Sequence, residues 1–219
     1  MQTLRRAGGN AGILAGVISA ALIVVYFVVL PATGFERNIE KNPDKYLPYI
    51  AANRGVNLLD IAGIAVSLLF IVLFIALSVR LRDEAPARSR IGPVFGVIGA
   101  TGFAIGRLIS LYGFEDLATL YTTDKVAATH AFYALDGLSD VFFGLGSITF
   151  GLGILALGTA MAKASGYRRV GNLGVVAGAL ITLGAFVPWQ FYIEGLGFIL
   201  SIIWITWTGI VLRSEEAAT

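Results

Sequence analysis

The sequence predicts an all-α fold: a single domain over residues 1–219 forming a polytopic bundle of six transmembrane helices, both termini cytoplasmic. Composition is the first observation behind that expectation. Of 219 residues, 57% are hydrophobic and 14% charged, with a mean hydropathy of +0.80; soluble domains run at roughly 45–50% apolar and about 25% charged. The second is that long apolar runs recur with only short polar connections between them, none long enough to separate two domains. The third is the placement of cations. With alternating spans, ten Lys and Arg (Arg5, Arg6, Arg80, Arg82, Arg88, Arg90, Lys163, Arg168, Arg169, Arg213) fall on one side, against five (Arg37, Lys41, Lys45, Arg54, Lys125) on the other. The richer side faces the cytoplasm.

Residues 11–30 make the first span. Arg5 and Arg6 precede it as they would a signal peptide, but a signal's apolar core is about 7–15 residues, and this run is long enough to cross. Gly8, Gly12 and Gly16 recur every four residues, a spacing that lets two helix backbones approach closely. Leu30-Pro31-Ala32-Thr33-Gly34 matches a sortase signal, yet such a signal precedes a C-terminal apolar tail, so the match is fortuitous. Residues 35–55 read as a polar loop with an interfacial turn near Tyr46 and Tyr49. The second span, 56–78, sets Asp60, Gly63 and Ser67 on one face.

A basic loop then leads to the third span, 91–112, where Gly92, Gly96, Gly99 and Gly106 form a stripe ending beside Arg107. Residues 113–135 read as a second polar connection, containing the sole histidine, His130. The fourth span, 138–162, belongs to a helix beginning near Asp136, on which Asp136, Asp140, Gly144, Ser147, Gly151 and Gly158 fall near one face. The fifth, 170–186, carries Gly174 and Gly178 and ends at Pro188-Trp189-Gln190. A tight turn through Tyr192, Glu194, Gly195 and Gly197 leads to the sixth, 198–212.

The stretch Gly166-Tyr167-Arg168-Arg169-Val170-Gly171-Asn172-Leu173-Gly174-Val175-Val176-Ala177-Gly178, with Arg6-Ala7-Gly8 opening the first span, resembles an uncharacterised family of bacterial six-helix integral membrane proteins known only as a domain of unknown function. The resemblance implies the six-span layout, with a basic turn and glycine-rich helix between the fourth and fifth spans. It implies no catalytic residues.

Charge within reach of a bilayer is costly and normally faces a partner or cavity. Asp60, Arg107, Asp136, Asp140 and Glu194 all fall at one level on the outer side, and they are the candidate binding layer. Arg107 has three readings: snorkelling to headgroups, an ion pair with Asp60, Asp136 or Asp140, or a ligand or proton pocket. Catalytic and metal sites have little to build on. The chain has no Cys and one His, and no phosphate loop, zinc-protease motif or haem-type histidine pair. Gly137-Leu138-Ser139-Asp140 would suit an intramembrane serine protease only with a base beyond His130, or an aspartyl protease only with Asp60 as second aspartate.

Trp189, Tyr192, Tyr112 and Tyr121 fit an outer aromatic belt, whereas Trp204 and Trp207 lie inside the sixth span and suit packing or contact with a pigment, lipid or second subunit. The leading expectation is a non-enzymatic plasma-membrane protein, an accessory or scaffolding component that associates through glycine-rich faces with copies of itself or a larger complex. Its partners are then the lipid bilayer and that complex, without cofactor or nucleic acid. A small-solute or proton transporter or channel using the outer polar layer is the alternative, and an intramembrane protease a further one.

Overall fold

The computed structural model describes residues 2–36, 38–164, 166–187 and 190–217. The side chains of residues 54, 190, 191 and 215–217 stand outside the description, so the expectations for Arg37, Arg54, Pro188, Trp189 and the Gln190 side chain lie outside it too. Among the described residues the helices are α1 (Gln2–Ala32), α2 (Pro43–Ala52), α3 (Asn57–Arg80), α4 (Pro86–Leu120), α5 (Lys125–Lys163), α6 (Arg168–Gly184) and α7 (Gln190–Ala217). A π turn interrupts α1 at Val25–Val29 and another interrupts α4 at Ile109–Gly113.

Five helices, α1, α3, α4, α5 and most of α7, are long and apolar enough to cross a membrane. The sixth expected span, α6, has 17 residues, about 25 Å at 1.5 Å per residue. It packs between α5 and α7 all the same, and the six long helices close into a ring: α1 against α3, then α4, α5, α6, α7 and back to α1. Antiparallel pairing of α1 with α7, where a side chain at Gly9 would meet Arg213, puts both chain ends on one face, called here the terminal side.

Lipid supplies no hydrophobic drive between helices, so close approach and dispersion must hold such a ring. Glycines supply the approach. A Cβ at Gly12 would sit 3.1 Å from the Gly209 Cα, one at Gly102 3.1 Å from the Gly146 Cα, one at Gly153 2.7 Å from the Gly96 Cα, and one at Gly158 2.7 Å from the Val175 nitrogen. Large side chains fill what remains. Phe150, fully buried on the ring's axis, touches Phe70 and Phe74 of α3, Phe103 of α4 and Phe198 of α7 at centroid separations of 4.9–6.5 Å. Trp204 is buried against Gly174, so it is a core residue, whereas Trp207 is 40% exposed.

The expected polar connections are more ordered than loops. Asn42 caps α2, its side chain accepting from the Asp44 N–H at 3.0 Å, with Pro43 preset for the first turn. Asp124 caps α5 by accepting from the Ala127 N–H at 2.9 Å, so that helix begins well before residue 138. The expected tight turn at residues 192–197 is likewise the first turns of α7. The α5–α6 turn passes through Gly166 at φ +87, a left-handed conformation that a Cβ would strain.

Together α2, the end of α4 and the start of α5 build a second core from Leu47, Ile50, Phe114, Leu117 and Phe132, a cap on the far side of the ring. Asp44 ties it across, accepting from the Tyr121 hydroxyl at 2.8 Å and pairing with Lys125 at 3.3 Å, and these bonds hold its carboxyl below the ordinary 3.8.

Gly153→Val should therefore lower thermal stability in detergent by about 1–3 kcal/mol or more, because the added atoms meet backbone that cannot yield. Gly144→Val should leave it unchanged, since nothing lies within 4 Å of a Cβ there. Equal losses from both variants would contradict glycine-limited packing.

Candidate functional site at the far-side boundary

Four helices bring polar groups to one level. Arg6 and Tyr26 on α1, and Arg80 and Asp60 on α3, are each about twenty residues apart, or about 30 Å, the thickness of a hydrocarbon core. Counting from the basic terminal-side ends of α4 and α5 reaches Arg107 and Asp140 at a similar height. The polar layer therefore coincides with the far boundary, and both π turns lie at or beside it.

Arg107 Nη1 donates to Asp60 Oδ1 at 3.0 Å, while the guanidinium lies 5.3 Å from the centroid of Phe143. Gly63 makes this pairing feasible: the Arg107 stem runs over it, and a Cβ there would sit 3.0 Å from Nε. Of the three readings of Arg107, the ion pair is the observed one, and of its three candidate partners the partner is Asp60. Asp60 is the more sheltered member, with 13% side-chain exposure against 42% for Arg107.

Asp136 and Asp140 belong instead to Lys41, whose Nζ lies 3.0 Å from Asp136 Oδ2 and 2.8 Å from Asp140 Oδ2. Lys41 ends the short 3-10 turn Ile39–Lys41. The preceding residue, Glu40, accepts from the Tyr26 hydroxyl of α1 at 3.2 Å through Oε1, while its Oε2 is buried without a hydrogen-bond partner. Since α1 and α5 stand opposite one another in the ring, this turn is a strap across the far-side mouth. Tyr46 lies beneath the cap, and burial, with Asp60 and Glu40 nearby, pushes its hydroxyl pKa up.

Glu194 lies near the start of α7, with its backbone against Gly184. Sequence reasoning missed Lys41, Glu40 and Tyr26. Lys41 carried no signal beyond being one cation in a polar loop, and only the strap's path brings it to Asp136.

The protease arrangements are not assembled. Ser139 Oγ donates to the Gly106 carbonyl at 3.3 Å, and His130 lies nine residues earlier on the same helix, about 13 Å away along its axis. Asp60 and Asp140 each face their own cation. Among the described residues, no three His or carboxylate side chains converge as a metal site.

A family model described as "Domain of unknown function (DUF4386)" matches residues 10–212. No curated protein and no solved structure matches the chain.

A double-mutant cycle of Asp60→Asn with Arg107→Ala should show coupling of about 1 kcal/mol in thermal unfolding, modest because the guanidinium is part-solvated; zero coupling would reduce the pair to proximity. Burial opposes the charge on Lys41, but its hydrogen bonds to Asp140 and Asp136 prevail and hold its pKa above the ordinary 10.5. Its contribution is thus complete below pH 10.5 and lost as pH rises through the raised value. Hydrogen exchange of residues 38–45 should accelerate there in the native chain, and already at neutral pH in Lys41→Ala.

Proposed function

The chain belongs to the DUF4386 family, a domain of unknown function, and from that premise we propose that it is a six-span plasma-membrane protein, termini cytoplasmic, acting as a non-catalytic accessory or scaffolding component. The observation that carries this reading is the filled axis. Phe70, Phe74, Phe103, Phe150 and Phe198 occupy the place where a pathway through the ring would run, and the polar layer above them is largely spent on its own ion pairs. Packing of α6 between two spanning neighbours supports the sixth span, and the cation-rich terminal side supports the orientation.

Most glycine stripes cannot serve association, because they are consumed between the chain's own helices. An outward strip remains on α5. Gly137 and Gly144 have nothing within 4 Å of a Cβ, and Val126, Tyr133 and Val141 on the same side are 57–68% exposed. We assign association, with a second copy or a larger complex, to this face. The runner-up, transport, draws support from the acid excess of the layer and the unpartnered Glu40 oxygen, but needs the phenylalanine stack to part.

Gentle extraction followed by native mass spectrometry should give a stoichiometric assembly that Gly137→Leu/Gly144→Leu dissociates without lowering the melting temperature. A lone monomer, combined with solute or proton flux in proteoliposomes, would turn the reading to transport. The cysteine-free chain also allows sidedness to be read directly: Thr123→Cys should react with an impermeant maleimide added outside intact cells, and Ser214→Cys only after permeabilisation.

A further inference from the structure

The α1–α7 seam is closed along Gly9, Gly12 and Gly16, the first two against Gly209 and the third against Thr206. Beside it, on the outer surface, the two helices form a lateral groove of 430 Å³ with Gly16 and Thr206 at its floor, Val17 and Ala20 on one wall and Ile203, Trp207 and Ile210 on the other. Its walls offer a ligand almost nothing polar, since the one hydroxyl, on Thr206, already donates to the Ile202 carbonyl at 2.8 Å. The groove faces outward at hydrocarbon depth, where its contact is the bilayer.

Both stripes that line it end in arginine. On α7, Ile203, Thr206, Ile210 and Arg213 follow at three, seven and ten residues, one helical face. On α1, Arg6 precedes Ile13 and Ala20 by seven and fourteen residues, on the face that carries Val17. Arg213 lies against Gly9, so the two cations stand about one turn apart at the same end of the groove. Both are exposed, and no described residue pairs with either. From the level of Ala20 to that of Gly9 is about 16 Å, close to half the hydrocarbon thickness of about 30 Å. An apolar trough one leaflet deep, with two unpaired guanidiniums at headgroup height, is complementary in length and charge to one lipid.

We propose that the α1–α7 groove is a binding site for an anionic phospholipid of the terminal-side leaflet, an acyl chain lying between Ala20 and Ile210 and the phosphate held by Arg6 and Arg213. Arginine suits the role because its planar fork meets phosphate oxygens in pairs.

Native mass spectrometry of the full chain in detergent, titrated separately with phosphatidylglycerol and phosphatidylcholine of matched chains, tests it. The native protein should retain phosphatidylglycerol preferentially, and glycerol phosphate at the same concentration should not compete, which separates a lipid from a free phosphate. Arg6→Gln/Arg213→Gln should weaken phosphatidylglycerol binding about thirtyfold, about fivefold per arginine, and abolish the preference. Ala20→Trp should reduce retention of both lipids. Both sets of positions are exposed, so unchanged melting without lipid confirms folding. Equal retention of the two lipids, an unaffected double-arginine variant, or a dimer that Ala20→Trp dissociates would each overturn the proposal, the last by giving the groove to a second copy.

Discussion

Backbone contact at glycine is the constraint on which the rest of this structure depends. Between helices in lipid the apolar surface lost to a neighbour is regained from acyl chains, so net attraction comes from closeness. Close approaches such as Gly12 on Gly209, Gly102 on Gly146 and Gly158 on Val175 set that closeness on three seams of the ring, α1–α7, α4–α5 and α5–α6. Once the seams are fixed, the space inside has a definite shape, and the phenylalanines around Phe150 fill it. The same closeness gives the Arg107 stem its bed on Gly63 and so presents its guanidinium to Asp60.

Charge sits where the bilayer permits it. At the far boundary the acids outnumber the cations, and the fold distributes them into two separate sets: Asp60 with Arg107 between adjacent helices, Asp136 and Asp140 with Lys41 across the mouth. Neighbouring Glu40 hydrogen-bonds Tyr26, so one short turn joins opposite sides of the ring. The cap above is a packed structure with its own apolar core, built by α2, the end of α4 and the start of α5. On the terminal side Arg80 pairs with Glu84, whereas Arg6 and Arg213 are exposed.

Phenylalanines fill the axis of the ring, and the layer above them pairs Asp60 with Arg107 and both Asp136 and Asp140 with Lys41. Outward features among the described residues include the strip of α5 around Gly137 and Gly144 and the groove between α1 and α7.

Apolar run length, cation placement and four-residue glycine spacing determined, from sequence alone, that this is a helical membrane protein with tightly packed helices, because a bilayer reads hydropathy and charge segment by segment. The same reasoning led to the expectation of a polar layer of Asp60, Arg107, Asp136, Asp140 and Glu194 at one level. It left α2 as a loop although Asn42-Pro43-Asp44 is a legible helix start, and began α5 too late despite the cap at Asp124, because polar composition outweighed capping chemistry. Tertiary structure alone decided which carboxylate meets which cation, since Lys41 and Asp136 are joined only by the path of a strap between distant segments. It also decided that the glycine stripes are internal seams. A helix face looks the same in sequence whether its neighbour is the next helix of its own chain or another molecule, and only closure of the ring distinguishes the two.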